Sequence, residues 1–143
     1  MRQFFEEVLQ LPYKSNSQDN PLHESQVEEL LKKYGLHYIA QPNGIQASPD
    51  FRVILDNGKT VDIECKSSKQ TYPTYNGGLP KKGVVYIFSS KRYDKTTIFF
   101  ADDIVTDKKR DQLSNLLEEL NVVVKSHQQN PEWEDDRGFD FYI

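Results

Sequence analysis

Hydrophobic residues recur every three or four positions in three segments of the chain, which is the spacing of one helix face. The first segment ends before Pro12, and the second opens at Asn20 and Pro21 and stops at Gly35, as helix-capping preferences favour. The third covers 107–120. The pattern predicts three helices, with apolar faces made by Phe4, Phe5, Val8, Leu9 and Leu11; by Val27, Leu30, Leu31 and Tyr34; and by Leu113, Leu116, Leu117 and Leu120.

Five segments between the second and third helices are rich in β-branched and aromatic residues and are bounded by turn residues, which favours strands. They cover 37–40, 51–55, 59–66, 84–89 and 96–101. A further short strand is predicted at 122–124, and Phe139, Phe141 and Ile143 alternate with polar residues at the end. The order of two helices, five strands and one helix predicts a single domain of mixed α and β structure over residues 1–143.

Charge and composition exclude several classes of protein. The formal net charge is −4, so any contact with nucleic acid has to be local. No run approaches the roughly 18 apolar residues of a membrane span, and the first residues turn acidic where a signal peptide would be apolar. The single cysteine, Cys65, excludes an intrachain disulfide and a multi-cysteine zinc site. We therefore expect a soluble, cytoplasmic protein with no membrane partner.

Residues 48–66 predict a β-hairpin around Asn57 and Gly58. A two-residue turn would mix charged and aliphatic side chains on both faces of this hairpin. A three-residue loop over 56–58, with Gly58 left-handed, instead separates them, so the hydrophobic pattern favours that register. Its apolar face holds Phe51, Val53, Leu55, Val61, Ile63 and Cys65, and its other face pairs Asp50 with Glu64, Arg52 with Asp62, and Ile54 with Thr60.

Two facing acids with a lysine beside them form a candidate site on the polar face. Asp50 and Glu64 repel each other, which costs stability unless a cation lies between them. Two carboxylates and a few waters suit Mg²⁺, and the Lys66 ammonium next to Glu64 can position a water and stabilise charge on a phosphorane-like transition state. The group predicts metal-assisted phosphodiester hydrolysis; an ordinary solvent-facing sheet surface is the alternative.

Pro49-Asp50, followed after thirteen residues by Glu64-Cys65-Lys66, resembles the PD-(D/E)XK nuclease pattern in its strand, turn and strand setting. The capped helix before it and the strand and helix after it are similar to the αβββαβ core of that superfamily, over about residues 21–120. The resemblance implies a restriction-endonuclease-like fold, in which helices flank a central mixed β-sheet. Small size and the lack of an ATP-binding loop make the chain most similar to a type II restriction endonuclease.

The resemblance also implies roles for individual residues. Asp50 and Glu64 would be metal ligands, Lys66 the catalytic lysine, and the backbone carbonyl of Cys65 a further ligand. A helix glutamate often joins such sites, and Glu24 is the candidate because it lies at the edge of the apolar face of the second helix; a solvated glutamate is the alternative, and Glu28 is the second candidate. The implied activity is Mg²⁺-dependent, sequence-specific cleavage of double-stranded DNA by a homodimer that needs no nucleotide cofactor.

The segment 71–83 displays Tyr, Asn and Lys on a backbone rich in Gly and Pro, directly after the predicted catalytic strand. These side chains suit phosphates and base edges, although a mobile connection has the same composition. A structure-specific junction-resolving or repair nuclease of the same superfamily and a catalytically silent nucleic-acid-binding module are alternatives to the restriction enzyme. The predicted DNA-binding residues are Lys69, Gln70, Tyr75, Asn76, Lys81 and Lys82.

Overall fold

A five-stranded sheet organises the first of the two compact units in the computed structural model, Met1–Ile104 and Val105–Ile143. The structure describes residues 1–14, 19–45, 47–75, 79–130 and 132. The prediction of one domain over the whole chain stays a prediction. The elements are α1 (Arg2–Val8), α2 (Asp19–Lys33), β1 (His37–Ala40), β2 (Phe51–Ile54), β3 (Thr60–Ser68), β4 (Val84–Ser90), β5 (Lys95–Phe100), a 3₁₀ turn (Ala101–Asp103) and α3 (Asp107–Gln128).

The strands lie side by side in chain order, and only the β3–β4 pair is parallel. The predicted mixed sheet with helices and the predicted order of elements are therefore confirmed. A parallel pair needs a crossover connection, which is often helical. Here the described residues of that connection, 69–75 and 79–83, contain no helix, so the chain departs from the αβββαβ order at this point.

The register of the β2–β3 hairpin agrees with the three-residue loop. Arg52 lies opposite Asp62 and Ile54 opposite Thr60, while the backbone of Leu55 donates to the Lys59 carbonyl at 2.8 Å. Gly58 closes the loop at a φ of +81°. Because side chains alternate along a strand, this register separates the two faces of the hairpin.

The main core lies between the apolar face of the sheet and the two helices of the first unit. The imidazole Nε2 of His23 lies 3.1 Å from the Ile87 carbonyl and joins α2 to β4. A smaller cluster on the opposite face is built around Tyr86, whose ring stacks on Phe99 at 5.4 Å. The buried residues of the main core are Phe4, Val8, Val27, Leu30, Leu31, Phe51, Val53, Ile63, Cys65, Val85 and Ile87.

Several predicted boundaries differ from the structure by a few residues, and α3 continues to Gln128, past its predicted end at 120. The strand predicted at 122–124 is wrong, because these valines continue α3, where each added residue gains a helical hydrogen bond. α2 begins at Asp19, so Asn20 lies inside the helix that it was predicted to cap. The predicted alternation at Phe139, Phe141 and Ile143 lies outside the described residues.

In α3 itself, the Thr106 hydroxyl caps the N-terminus by accepting from the backbone N–H of Lys109 at 3.1 Å. None of its residues is buried, and the side chain of Leu116 is 49% exposed.

Among the described residues, no helix combines the length and the apolar character needed to cross a membrane.

We expect Gly58→Ala to lower the free energy of unfolding by about 1–2 kcal/mol, because a Cβ disfavours the left-handed conformation. A Cβ at this position would meet nothing within 4 Å, so the lost stability reports the cost of the left-handed backbone conformation alone. Urea unfolding measures it, and Asp56→Ala, at an exposed position of the same loop, is the reference for a side-chain change. Unchanged stability of Gly58→Ala would contradict the assigned loop conformation.

Candidate functional site

Asp50 is held against β3 by two contacts to the backbone of that strand. Its own N–H donates to the Ile63 carbonyl at 3.0 Å, and its carboxylate Oδ2 accepts from the backbone N–H of Cys65 at 2.7 Å. These contacts on either side of Glu64 place the Asp50 carboxylate next to the residue predicted to face it. The hairpin register therefore brings the two acids together.

Glu64 and Lys66 lie on the same face of β3, two residues apart. The Lys66 ammonium is 3.6 Å from Glu64 Oε1, and the side chains of Lys66 and Glu64 are only 21% and 14% exposed. The other carboxylate oxygen, Glu64 Oε2, is buried and has no hydrogen-bond partner among the described residues. A buried carboxylate oxygen without a partner is costly, so this atom is suited to a ligand that compensates it.

Burial raises the pKa of Asp50 from its ordinary 3.8 to about 7, and the nearby charges of Glu64 and Glu24 add to the rise. The hydrogen bond from the Cys65 backbone and the Lys66 ammonium oppose it. Near neutral pH this carboxyl is therefore divided between its charged and neutral forms. A bound cation would favour the charged form.

Glu24 extends from α2 to the same group, as its place on the helix predicted. The pKa of this half-buried glutamate is raised by burial first and then by the charge of Glu64. Glu28, the second candidate, is engaged elsewhere, because its carboxylate accepts from the Tyr38 hydroxyl at 2.8 Å. Both line a depression of about 340 Å³, together with Ser25, Ala40, Gln41, Asp50 and Phe51.

Gln41 is a site-lining residue that the sequence pattern did not single out. It follows β1 directly, and its N–H donates to the Asp50 carbonyl at 2.7 Å. Its φ of +48° is uncommon for a residue other than glycine. Unusual backbone conformations cluster at functional sites. Nothing in the sequence indicated this conformation, and only the closeness of Gln41 to the hairpin could have indicated its place in the site.

The charged pair next to the acids is satisfied without any ligand. Arg52 donates to Asp62 from Nε at 2.8 Å and from Nη2 at 3.1 Å. This fork-to-fork geometry is the strong form of the arginine–carboxylate pair. Asp62 and Glu64 thus share a strand face, and only Glu64 keeps an oxygen that lacks a partner.

The side chains fit a divalent cation in donor type and charge. In the described part of the chain, no group of three or more His, Cys, Asp or Glu side chains forms a ready-made metal site. Two carboxylates together with a backbone carbonyl nevertheless suit Mg²⁺, which keeps several of its waters. Asp50, Glu64 and the Cys65 carbonyl are the groups that could hold it.

The predicted DNA-binding residues lie in different settings. Lys69, Gln70, Lys81 and Lys82 are exposed. Tyr75 is half-buried, and its ring contacts the Tyr86 ring edge-on, with 5.7 Å between the centroids. The structure therefore places its ring in the smaller apolar cluster. Asn76 lies outside the described residues, so base contacts from it stay a prediction.

No protein-family model matches the sequence, and no curated protein matches it. A solved structure of a bacterial homing endonuclease, I-Ssp6803I, is similar at 13% identity and a TM-score of 0.40. That similarity covers 76% of this chain and 97% of the endonuclease. A similarity this low supports no conclusion about chemistry, which depends on the residues of the site itself.

We expect Asp50→Asn to stabilise the metal-free protein above pH 7. The pKa of Asp50 is higher in the folded chain, so between about pH 4 and 7 the folded chain keeps a proton that the unfolded chain has lost. The free energy of unfolding therefore falls as the pH rises through this window. The variant should gain roughly 1–3 kcal/mol at pH 8, after allowance for solvent screening, and almost nothing at pH 4.

Urea unfolding in chelator at pH 4 and pH 8 measures this difference. Added Mg²⁺ should stabilise the unsubstituted protein at pH 8 more than Asp50→Asn. Asp56→Asn, an exposed acid in the hairpin loop, is the matched control. A gain for Asp50→Asn that is equal at both pH values would show that ionisation of Asp50 is not its source.

Proposed function

We propose that the chain is a Mg²⁺-dependent, sequence-specific endonuclease that hydrolyses phosphodiester bonds of double-stranded DNA. The observation that carries this proposal is the buried, unpartnered Glu64 Oε2, which lies on one sheet face with Asp50 and Lys66. Two partly buried carboxylates with one lysine beside them are expensive for the fold. Binding a cation between the two carboxylates would relieve that cost.

Asp50, Glu64 and the Cys65 carbonyl would hold the Mg²⁺, and Glu24 would approach it from α2. When bound, such an ion polarises a phosphoryl oxygen and lowers the pKa of a coordinated water. The Cys65 N–H fixes the Asp50 carboxylate in place, and the fold partly buries both Asp50 and Glu64. Burial strengthens the interaction of these carboxylates with any cation.

Lys66 is the side chain that would supply positive charge to the reaction. Its ammonium is 3.6 Å from Glu64 Oε1 and is largely shielded from solvent. From there it can donate hydrogen bonds to an attacking water and to the phosphate oxygens, whose negative charge grows in the transition state. The pairing with Glu64 keeps the lysine directed at the site before substrate arrives.

The finer assignment is a type II restriction enzyme that acts as a homodimer. Cutting both strands of a symmetric site calls for two active sites related by a two-fold axis. The net charge of −4 argues against strong indiscriminate binding and is compatible with affinity from local cationic groups. A junction-resolving or repair nuclease would use the same chemistry on DNA selected by shape, and a substrate panel separates the two.

We expect the purified protein to cut a long duplex DNA into discrete fragments with Mg²⁺ and to leave it intact in chelator. Glu64→Ala and Lys66→Met should each slow cleavage by about 100-fold or more, because they remove a metal ligand and the transition-state cation. Asp62→Asn is the matched control, since it changes an acid on the same strand face that is already paired with Arg52. Gel electrophoresis and mapping of the fragment ends measure both rate and site.

If Asp62→Asn and Glu64→Ala slow cleavage equally, the lost activity reflects a disturbed fold and not the loss of a metal ligand. Cleavage of branched DNA alone would replace the restriction enzyme by a structure-specific nuclease. No cleavage of duplex, branched or single-stranded DNA would overturn the enzyme and favour a binding module.

We also expect sedimentation to give a species of two chains for the protein alone, and of two chains plus one duplex for the protein with duplex DNA in the presence of Ca²⁺. The two-fold symmetry of double-strand cleavage is the reason. A single chain bound to its site, together with nicking of one strand only, would contradict the homodimer.

A further inference from the structure

The turn between β4 and β5, together with the first residue of β5, carries a dense group of exposed cations that the site described above does not use. Residues 91–95, called the basic turn here, contain Lys91, Arg92 and Lys95, all exposed. None of the three forms an ion pair with another described residue. The single carboxylate of the turn, Asp94, accepts from the backbone N–H of Tyr13 at 3.1 Å. The Asp94 carboxylate is therefore bonded to the backbone of Tyr13.

The basic turn is joined to the end of the strand that carries Glu64 and Lys66. The Lys91 N–H donates to the Ser68 carbonyl at 3.0 Å, and the Ser90 hydroxyl donates to the Gln70 carbonyl at 2.6 Å. Ser68 lies two residues beyond Lys66, which is about 7 Å along a strand. The turn is thus fixed at a short distance from the candidate active site.

A depression of about 350 Å³ lies beside the turn, and most of the strand residues that line it share a sheet face with Lys66. Lys66 is aligned with Phe88, and Phe88 with Thr97; in the next row Ser68 is aligned with Ser90, and Ser90 with Lys95. Aligned residues on neighbouring strands share a face. The depression is lined by Phe88, Ser90, Tyr93, Lys95 and Thr97, among others, and so begins next to Lys66.

Tyr93 adds an aromatic surface at the rim, because its side chain is 63% exposed. An exposed aromatic ring surrounded by cations is the arrangement that binds a nucleic-acid strand, with the ring against a sugar or base and the cations on phosphates. Each strand of duplex DNA carries one charge every ~3.4 Å along the axis. The distance from Lys66 to the turn therefore corresponds to about two or three nucleotides.

We propose that the basic turn and its depression form a nucleotide-binding subsite for the DNA strand that is cut. Lys91, Arg92 and Lys95 contact phosphates, and Tyr93 contacts the sugar or base of the nucleotide in the depression. This inference rests on the proposed nuclease function for its orientation, because the cut phosphate lies at Lys66. As a binding surface it can be measured without any cleavage.

The test measures binding of a fluorescent duplex by anisotropy over a range of salt concentrations, in the Glu64→Gln background so that Mg²⁺ can be present without cleavage. The patch variant combines Lys91→Gln, Arg92→Gln and Lys95→Gln. The control variant combines Lys14→Gln, Lys59→Gln and Lys125→Gln, which removes the same charge from exposed positions elsewhere. We expect the patch variant to make the slope of log affinity against log salt shallower by about two to three, with little change in the control.

Tyr93 is tested by a pair of substitutions at the same position. Tyr93→Ala should weaken binding about fivefold or more, whereas Tyr93→Phe, which keeps the ring, should bind like the parent. Phe100→Ala removes another exposed aromatic side chain, at the opposite end of β5, and should have no effect. Equal affinities of Tyr93→Ala and Tyr93→Phe would overturn the nucleotide contact in the depression.

Equal salt slopes for the patch and control variants would overturn the subsite and leave a demonstrated nuclease activity untouched. If the unsubstituted protein cuts no DNA but the patch variant still loses affinity and slope, the nuclease function fails and the surface stands as a DNA-binding site. Absence of any DNA binding by the parent would overturn both.

Discussion

The pairing of β2 with β3 is the constraint on which the rest of the candidate site depends. The side-chain period of a strand is two, so a slip of one residue would exchange the core face for the polar face. With Gly58 left-handed and Arg52 opposite Asp62, the aliphatic side chains of both strands point toward α1 and α2. The acids then share the other face. The burial of the apolar layer thus stabilises the arrangement that brings Asp50 to Glu64.

The same arrangement carries an electrostatic cost. The charges of Glu64 and Glu24 raise the pKa of Asp50, and the charge of Glu64 raises the pKa of Glu24, whereas the Lys66 ammonium opposes both shifts. The nearby Arg52–Asp62 pair shows that the same sheet face can satisfy an acid fully. Asp62 is thus fully paired by Arg52, whereas Glu64 Oε2, on the same face, has no hydrogen-bond partner among the described residues.

Beyond the acids, the surroundings differ in chemistry on the two sides. Toward β1 lies the depression lined by Glu24 and Gln41, which carries no cation. Toward β5 lie Phe88, Tyr93 and the cations of the basic turn. A net-acidic chain can bind a polyanion only where positive charge is concentrated, and the second direction supplies that concentration next to Lys66. The asymmetry gives the proposed substrate strand a path across the sheet.

The sequence alone determined the order of elements, the hairpin register and the alignment of Asp50, Glu64 and Lys66, because strand alternation and turn chemistry are local. The helical period also indicated that Glu24 lies at the edge of the apolar face of α2, and the structure places it near Asp50 and Glu64. It misassigned 122–124, since three valines carry a strand preference that a continuing helix overrides. Only the tertiary structure decided how deeply the acids are buried, that Tyr75 packs against Tyr86, and that the basic turn meets the end of β3. Those facts depend on contacts between residues far apart in the chain, which no local pattern encodes.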